Sequence, residues 1–159
     1  MNSSDARGRT IVVDADACPV KKETADVARA CGVPVMMVSS YAHELRGGEG
    51  VAVVRVDNSD QSADLYIANH IKPGDVVLTG DYGLAALALA KGCHVLSFRG
   101  QTYDETNMDM MLEGRHARAK ERRRGRHSKG PKPFSAEDRN FFQHKLTKLL
   151  NLLQENVQL

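Results

Sequence analysis

What most constrains this 159-residue chain is an alternation in which short β-branched runs are each followed by a stretch of helical period. Ile11-Val12-Val13-Asp14 ends in a carboxylate, and Pro19, a residue favoured at a first helical position, opens a pattern that predicts a helix to about Ala30, stopped by Gly32. Val35–Val38 and Val51–Val56 read as the next strands, with Gly47 and Gly48 in the loop between them. Ser59–His70 then reads as a helix, Val76–Thr79 as a buried strand, Tyr82–Lys91 as an Ala/Leu helix closed by Gly92, and His94–Ser97 as a further strand. Strands spaced by helices of this length pair in parallel through right-handed crossovers. The predicted fold is therefore α/β, a three-layer, doubly wound, mainly parallel sheet of Rossmann-like type with a helical extension after it.

Size and composition suit that architecture. The length is about one domain's worth, and 42% apolar residues with only 5% aromatics and no Trp imply a core of Val, Leu, Ile, Ala and Met. Ser135 with Asp138 three positions on forms a capping pattern, and Phe141, Phe142, Leu146, Leu149, Leu150 and Leu153 fall on one helical stripe, so an amphipathic helix is expected to pack on the core. Thr106 and Asp109 suggest a helix start ahead of Met110, Met111 and Leu112. The expected organisation is a tail over 1–9, an α/β core over 10–114, a basic linker or arm over 115–133, and a helix within 134–159. No run approaches the roughly 18 apolar residues of a membrane span. The first residues, with Asp5 and Arg7 among small polar ones, lack an apolar signal core, and Cys18, Cys31 and Cys93 form no Cys-x-x-Cys pair. These features point to the cytoplasm.

In an open parallel sheet, ligands gather beyond the carboxyl ends of the strands, near the point where strand order reverses. Asp14 ends the first strand, Asp16 follows two residues later, and Asp81 follows the strand Val76–Thr79, so all three are expected at one edge. Asp64, about one turn into its helix, is placed to lean over the same edge. Clustered carboxylates raise one another's pKa and are stable together mainly when cations neutralise them. Oxygen ligands select a hard ion, Mg²⁺ or Mn²⁺, and such sites handle phosphate esters. Asp14, Asp16, Asp64 and Asp81 are thus candidate metal ligands and catalytic residues. Each also has a plainer reading, since an Asp after a strand commonly caps the next helix. Asp60 is a lesser candidate, and Cys18 at a helix start lacks a base nearby in sequence.

The net charge of +2 hides a division: residues 115–132 hold nine Lys or Arg against one acid, Glu121, leaving −6 on the rest. An acidic edge and a basic segment on one chain suit a polyanion held through divalent cations. Arg122, Arg123 and Arg124 are consecutive and so cannot share one stripe; with Arg126, Lys129 and Lys132 they are candidate nucleic-acid contacts, RNA above all. Arg99, just past the strand ending at Ser97, is a candidate phosphate contact at the acidic edge.

Val13-Asp14-Ala15-Asp16-Ala17-Cys18-Pro19-Val20, Ala63-Asp64-Leu65-Tyr66-Ile67, Gly74-Asp75-Val76-Val77, Thr79-Gly80-Asp81-Tyr82-Gly83-Leu84-Ala85 and Gly130-Pro131-Lys132-Pro133-Phe134 together resemble the YaiI/YqxD family of bacterial proteins. That family is uncharacterised in function and similar in fold to PIN-like nucleases. The resemblance implies a Mg²⁺- or Mn²⁺-dependent ribonuclease whose metal ligands fall on Asp14, Asp64 and Asp81, with Asp16 the family's own addition. Where many PIN domains carry another acid after the last of these, this chain has Tyr82, Gly83 and Leu84. Two rival expectations stand beside it: a non-catalytic RNA- or ribosome-binding protein, and a haloacid-dehalogenase-like phosphatase with Asp14 as nucleophile. The second leaves Asp64 without a role.

Overall fold

The computed structural model describes residues 8–40, 47–57, 62–108 and 133–158. Six strands form one sheet: β1 (Ile11–Asp14), β2 (Val35–Ser40), β3 (Val51–Val56), β4 (Val76–Leu78), β5 (His94–Leu96) and β6 (Thr102–Tyr103), in the order β3-β2-β1-β4-β5-β6. β1 to β5 pair in parallel, with Ile11 opposite both Val35 and Val76. Strand order thus reverses at β1, whose two neighbours are β2 and β4. β6 departs from the parallel pairing: it is a two-residue strand antiparallel to β5 that the alternation of strands and helices does not foreshadow. It arises from a tight turn in which Ser97 N–H donates to the Gln101 carbonyl and Ser97 Oγ accepts from the N–H groups of Arg99 and Gln101.

Period-2 alternation splits the strand side chains between two cores, one on each face of the sheet. Ile11, Val13, Val35, Met37, Val76 and Leu78 meet α1 (Lys21–Cys31) and α4 (Ala136–Gln158). Val12, Val38, Val77 and Val95 meet α2 (Ala63–His70) and α3 (Tyr82–Ala90). Helices cover both faces, which makes the three layers. Asp14 shares the parity of Val12 and so belongs to the face covered by α2 and α3.

Local chemistry shifts several element ends from their sequence-based positions. α1 begins at Lys21, because the chain leaving β1 first makes a 3₁₀ turn, Ala15–Ala17, closed by Cys18 N–H on the Ala15 carbonyl, which holds Pro19 outside the helix. α2 begins at Ala63, because Ser62 caps it by accepting the Leu65 N–H. Asp64 therefore sits in the first turn of α2, earlier than the sequence suggested. Asp104 and Asn107 bond each other's backbone N–H and open a helical turn over 105–108. The continuation carrying Met110, Met111 and Leu112, the basic run and Asp60 lie outside the described residues.

The Ser135 and Asp138 pattern forms a true capping box: Asp138 N–H donates to Ser135 Oγ at 3.1 Å and Ser135 N–H to Asp138 Oδ2 at 3.0 Å. α4 runs beside α1 in the same direction, since Arg139 pairs with Glu23 and Gln154 donates to the Cys31 carbonyl. Phe142, Leu146, Leu150 and Leu153 are buried, and at about 1.5–3 kcal/mol each they contribute on the order of a small domain's whole net stability. Phe141, expected on the same stripe, is instead 52% exposed, because it lies about 100° of helical turn round from Phe142.

Phe141 rests on Gly100, whose φ of +86° and missing Cβ admit it: a Cβ there would lie 2.8 Å from the Phe141 ring and 3.3 Å from Phe142 Cα. Gly100→Ala is therefore expected to destabilise the protein by about 1–3 kcal/mol, combining left-handed backbone strain with overpacking. Urea unfolding measures this, and an unchanged midpoint would show that α4 does not seat on the β5–β6 turn.

Candidate functional site

Four carboxylates meet the crevice at the reversal of strand order. Asp14 is the last residue of β1, half-buried, and Thr79 Oγ1, just past β4, donates to its Oδ2 at 3.1 Å. The same Thr79 oxygen accepts the Asp81 N–H at 3.0 Å, so one hydroxyl ties the two acidic residues together. Asp81 is the N-cap of α3, its Oδ1 accepting the Leu84 N–H at 3.1 Å. The plain capping role foreseen for Asp81 is thus filled by one oxygen. A Cβ at residue 83 would lie 3.2 Å from that oxygen, which is where Gly83 leaves room.

Asp16 does not cap the Cys18-Pro19 turn. Its carboxylate reaches across to the end of β2, where Ser40 donates N–H to Oδ1 at 3.0 Å and to Oδ2 at 3.3 Å, with Ser40 Oγ 3.4 Å from Oδ1. Asp64 is exposed and accepts a short hydrogen bond from the Ser62 hydroxyl on Oδ1. Asp14 Oδ1, Asp81 Oδ2 and Asp64 Oδ2 accept no hydrogen bond among the described residues. Arg99 stands on another side of the same edge, bonded to Asp138 at 2.9 Å. Arg122, Arg123, Arg124, Arg126, Lys129 and Lys132 are outside the described residues.

Burial pushes the Asp14 carboxyl above its ordinary pKa; the Thr79 hydrogen bond works against this, while the charges of Asp81, Asp16 and Asp64 add to it. Asp14 thus feels all three other carboxylates. Such repulsion suits a hard divalent cation, yet among the described residues no three His, Cys, Asp or Glu side chains stand close enough to hold one ion in common. The donor set therefore fits an ion taken by one or two carboxylates and completed by water or substrate oxygen, as Mg²⁺ is commonly bound, better than a closed protein cage. Cys18, buried with its thiol pushed up to about 11 by desolvation, is no nucleophile at neutral pH.

Thr79, Ser40 and Ser62 were not singled out from sequence. Each aims one of the acidic residues, and the available signal was a hydroxyl two residues before Asp81 and two before Asp64; Ser40, 24 residues from Asp16, had none.

Comparison with known proteins decides the family. The model of the uncharacterised YaiI/YqxD family, DUF188, matches residues 12–152. The chain belongs to the YaiI/YqxD family. Among curated relatives, UPF0178 protein BH1374 of Halalkalibacterium halodurans is 48% identical over 141 residues, covering 89% of this chain and 90% of that protein. UPF0178 protein RBAM_023530 of Bacillus velezensis is 49% identical over 144 residues, covering 90% and 86%. Among solved structures, the W164L mutant of Rae1 (YacP) from Bacillus subtilis aligns over 91% of this chain and 98% of its own, with a TM-score of 0.43 and 17% identity.

Two outcomes follow for this YaiI/YqxD site. Thr79→Val keeps the shape but removes the donor to Asp14 and the acceptor for Asp81 N–H, and should cost about 1–3 kcal/mol in urea unfolding, with Thr79→Ser near wild type. A carboxyl whose folded pKa is raised adds stability that is complete below its unfolded pKa and lost as pH rises through the folded one. Asp14→Asn should therefore melt higher than wild type at pH 7 in chelator, the gap closing below about pH 4. An Asn variant that melts lower at pH 7 would make Asp14 a structural cap.

Proposed function

We propose that this protein is a Mg²⁺- or Mn²⁺-dependent nuclease acting on RNA phosphodiesters, with Asp14 and Asp81 as the principal metal ligands, Asp64 as ligand or water-orienting base, and Asp16 assisting. The observation that carries the reading is the Asp14–Thr79–Asp81 linkage at the switch of strand order, with an oxygen on each of Asp14 and Asp81 that accepts no hydrogen bond among the described residues, at the edge where open α/β sheets bind ligands. The likeness in fold to PIN-like nucleases that the YaiI/YqxD resemblance implies supports it. A divalent ion there would supply charge stabilisation to the phosphate oxygens and an acidified water. The chain's own part is positional. Thr79 fixes the Asp14 carboxylate, the α3 cap fixes Asp81, and the exposed Asp64 carboxylate can take a proton from an attacking water at Oδ2. Ser40 holds Asp16 beside them, and residues 115–132 supply positive charge that suits a polyanionic substrate in a reducing, cytoplasmic setting.

A second reading, a non-catalytic RNA- or ribosome-binding protein, draws on the separation of the described acidic side chains. The phosphatase reading draws nothing further, since both Asp16 oxygens are occupied by Ser40.

Incubation of end-labelled RNA oligonucleotides with the protein in Mn²⁺ or Mg²⁺ should yield cleavage that chelator stops, and Asp14→Asn or Asp81→Asn should weaken Mn²⁺ binding by more than about tenfold and suppress cleavage. Retained binding without cleavage in several metals would favour the second reading. Hydrolysis of a phosphomonoester with beryllofluoride capture on Asp14 would replace both.

A further inference from the structure

Phe141 is a large apolar side chain that α4 leaves half in water, while its neighbour Phe142 is fully buried. Its seat is fixed by the fold. The ring meets Gly100 through Cδ2 and Cε2, one edge, in the turn that Ser97 and Gln101 close with a 2.8 Å backbone hydrogen bond. That turn lies beyond the carboxyl end of β5 and is tied to the acidic edge: Thr79 N–H donates to the Leu96 carbonyl, and a Cβ at residue 80 would lie 3.6 Å from Phe98 Cε2. Phe98, packed on the residue before Asp81, is therefore only two Cα steps, at most about 7.6 Å, from the glycine that carries Phe141.

Holding α4 to this turn explains the edge of the ring that touches Gly100, but not the surface left in water. A side chain that only fastened two elements would gain most by full burial, as Phe142 does. A cation beside it is the second observation. Lys145, one helical turn on and half-buried, sets its Nζ over the Phe141 ring at 5.9 Å from the centroid. Lys22, Arg29 and Arg139 each pair with a carboxylate, whereas Lys145 pairs with none among the described residues. A half-buried ammonium without a counter-ion attracts an anion, and an open aromatic ring attracts a flat one. A nucleotide carries both parts, a phosphate for the lysine and a base for the ring.

We infer that Phe141 is a base-stacking platform for single-stranded RNA, with Lys145 holding a phosphate of the same strand, a few nucleotides from the phosphodiester presented to Asp14 and Asp81. The inference rests on the proposed function, from which it takes the polymer. Because Phe141 is already seated on Gly100, a base that stacks on it orders little that is not already ordered. Every base has a π-face, so the platform supplies affinity and register without choosing the base. Neither side chain takes part in bond cleavage.

The probe is a 12-nucleotide oligouridylate, titrated at several salt concentrations in chelator so that nothing is cut. Phe141→Leu keeps an apolar side chain on Gly100 but removes the ring; it should weaken binding about 5- to 150-fold at an unchanged slope of log K against log salt, while Phe141→Tyr binds as wild type. Lys145→Gln should lower the slope by about 0.7, one phosphate contact. In wild-type protein, where folding is not disturbed, the Phe141 ring-proton signals should move upfield as a base stacks on them. A folded Leu variant that binds as wild type, or unmoved Phe141 ring signals while the amides of residues 14–16 move, overturns the platform and leaves the proposed function standing. An unchanged slope in Lys145→Gln overturns the phosphate contact. Wild-type protein that neither binds the oligonucleotide in chelator nor cuts it in Mn²⁺ overturns the platform and the proposed function together.

Discussion

The seam between β1 and β4 is the constraint on which the rest depends. These strands are 65 residues apart in sequence, and their parallel pairing creates both the reversal of strand order and the crevice beyond it. A side chain pins the seam at each end. At the foot, Asp75, 2% exposed, accepts the N–H groups of Thr10 and Lys72, while Val76 N–H reaches the Thr10 carbonyl. At the head, Thr79 donates to Asp14. Because side chains alternate between faces, a slip of one residue would turn Asp14 from the α2/α3 face to the other. The buried carboxylate at one end thus protects the register that aims the half-buried one at the opposite end.

The two ends obey opposite electrostatic rules. Asp75 is nearly inaccessible, yet its oxygens meet backbone donors, so burial leaves it satisfied. Asp14 is less buried and worse placed, since one hydroxyl answers for it against three neighbouring carboxylates. Strain of this kind persists only when the surrounding fold outweighs it, and here the counterweight is the pair of apolar cores. Stability and site chemistry pull against each other within one strand of four residues.

Much of this was legible because periodicity reports burial. β-branched runs and Ala/Leu stretches implied the parallel pairing, the Ser135–Asp138 spacing marked the start of α4, and Asp14 and Asp81 fell at one edge because both follow strands that pair side by side. Contacts made across the chain were less legible. Nothing local announces that Ser40 will take Asp16, that a two-residue β6 will turn back along β5, or that α2 waits for Ser62. Each is settled by a partner or by a single hydrogen bond, neither of which has a period. Phe141 marks the same limit inside a helix: a stripe read from spacing has a width, and only the packing of the β5–β6 turn decides where it stops.

The placement of α4 also sets an order of events during synthesis. One face of the sheet, with Ile11, Val13, Val35, Met37, Val76 and Leu78, is covered jointly by α1 and α4. α1 is among the first elements to leave the ribosome, and α4 follows every strand. Until Phe142, Leu146 and Leu150 have emerged, a strip of that face is wet and open to wrong partners, as with other parallel sheets that rely on distant contacts. The nascent chain thus completes its acidic edge before it has the cover that makes the domain stable, and a chain stalled short of α4 would be a substrate for chaperones.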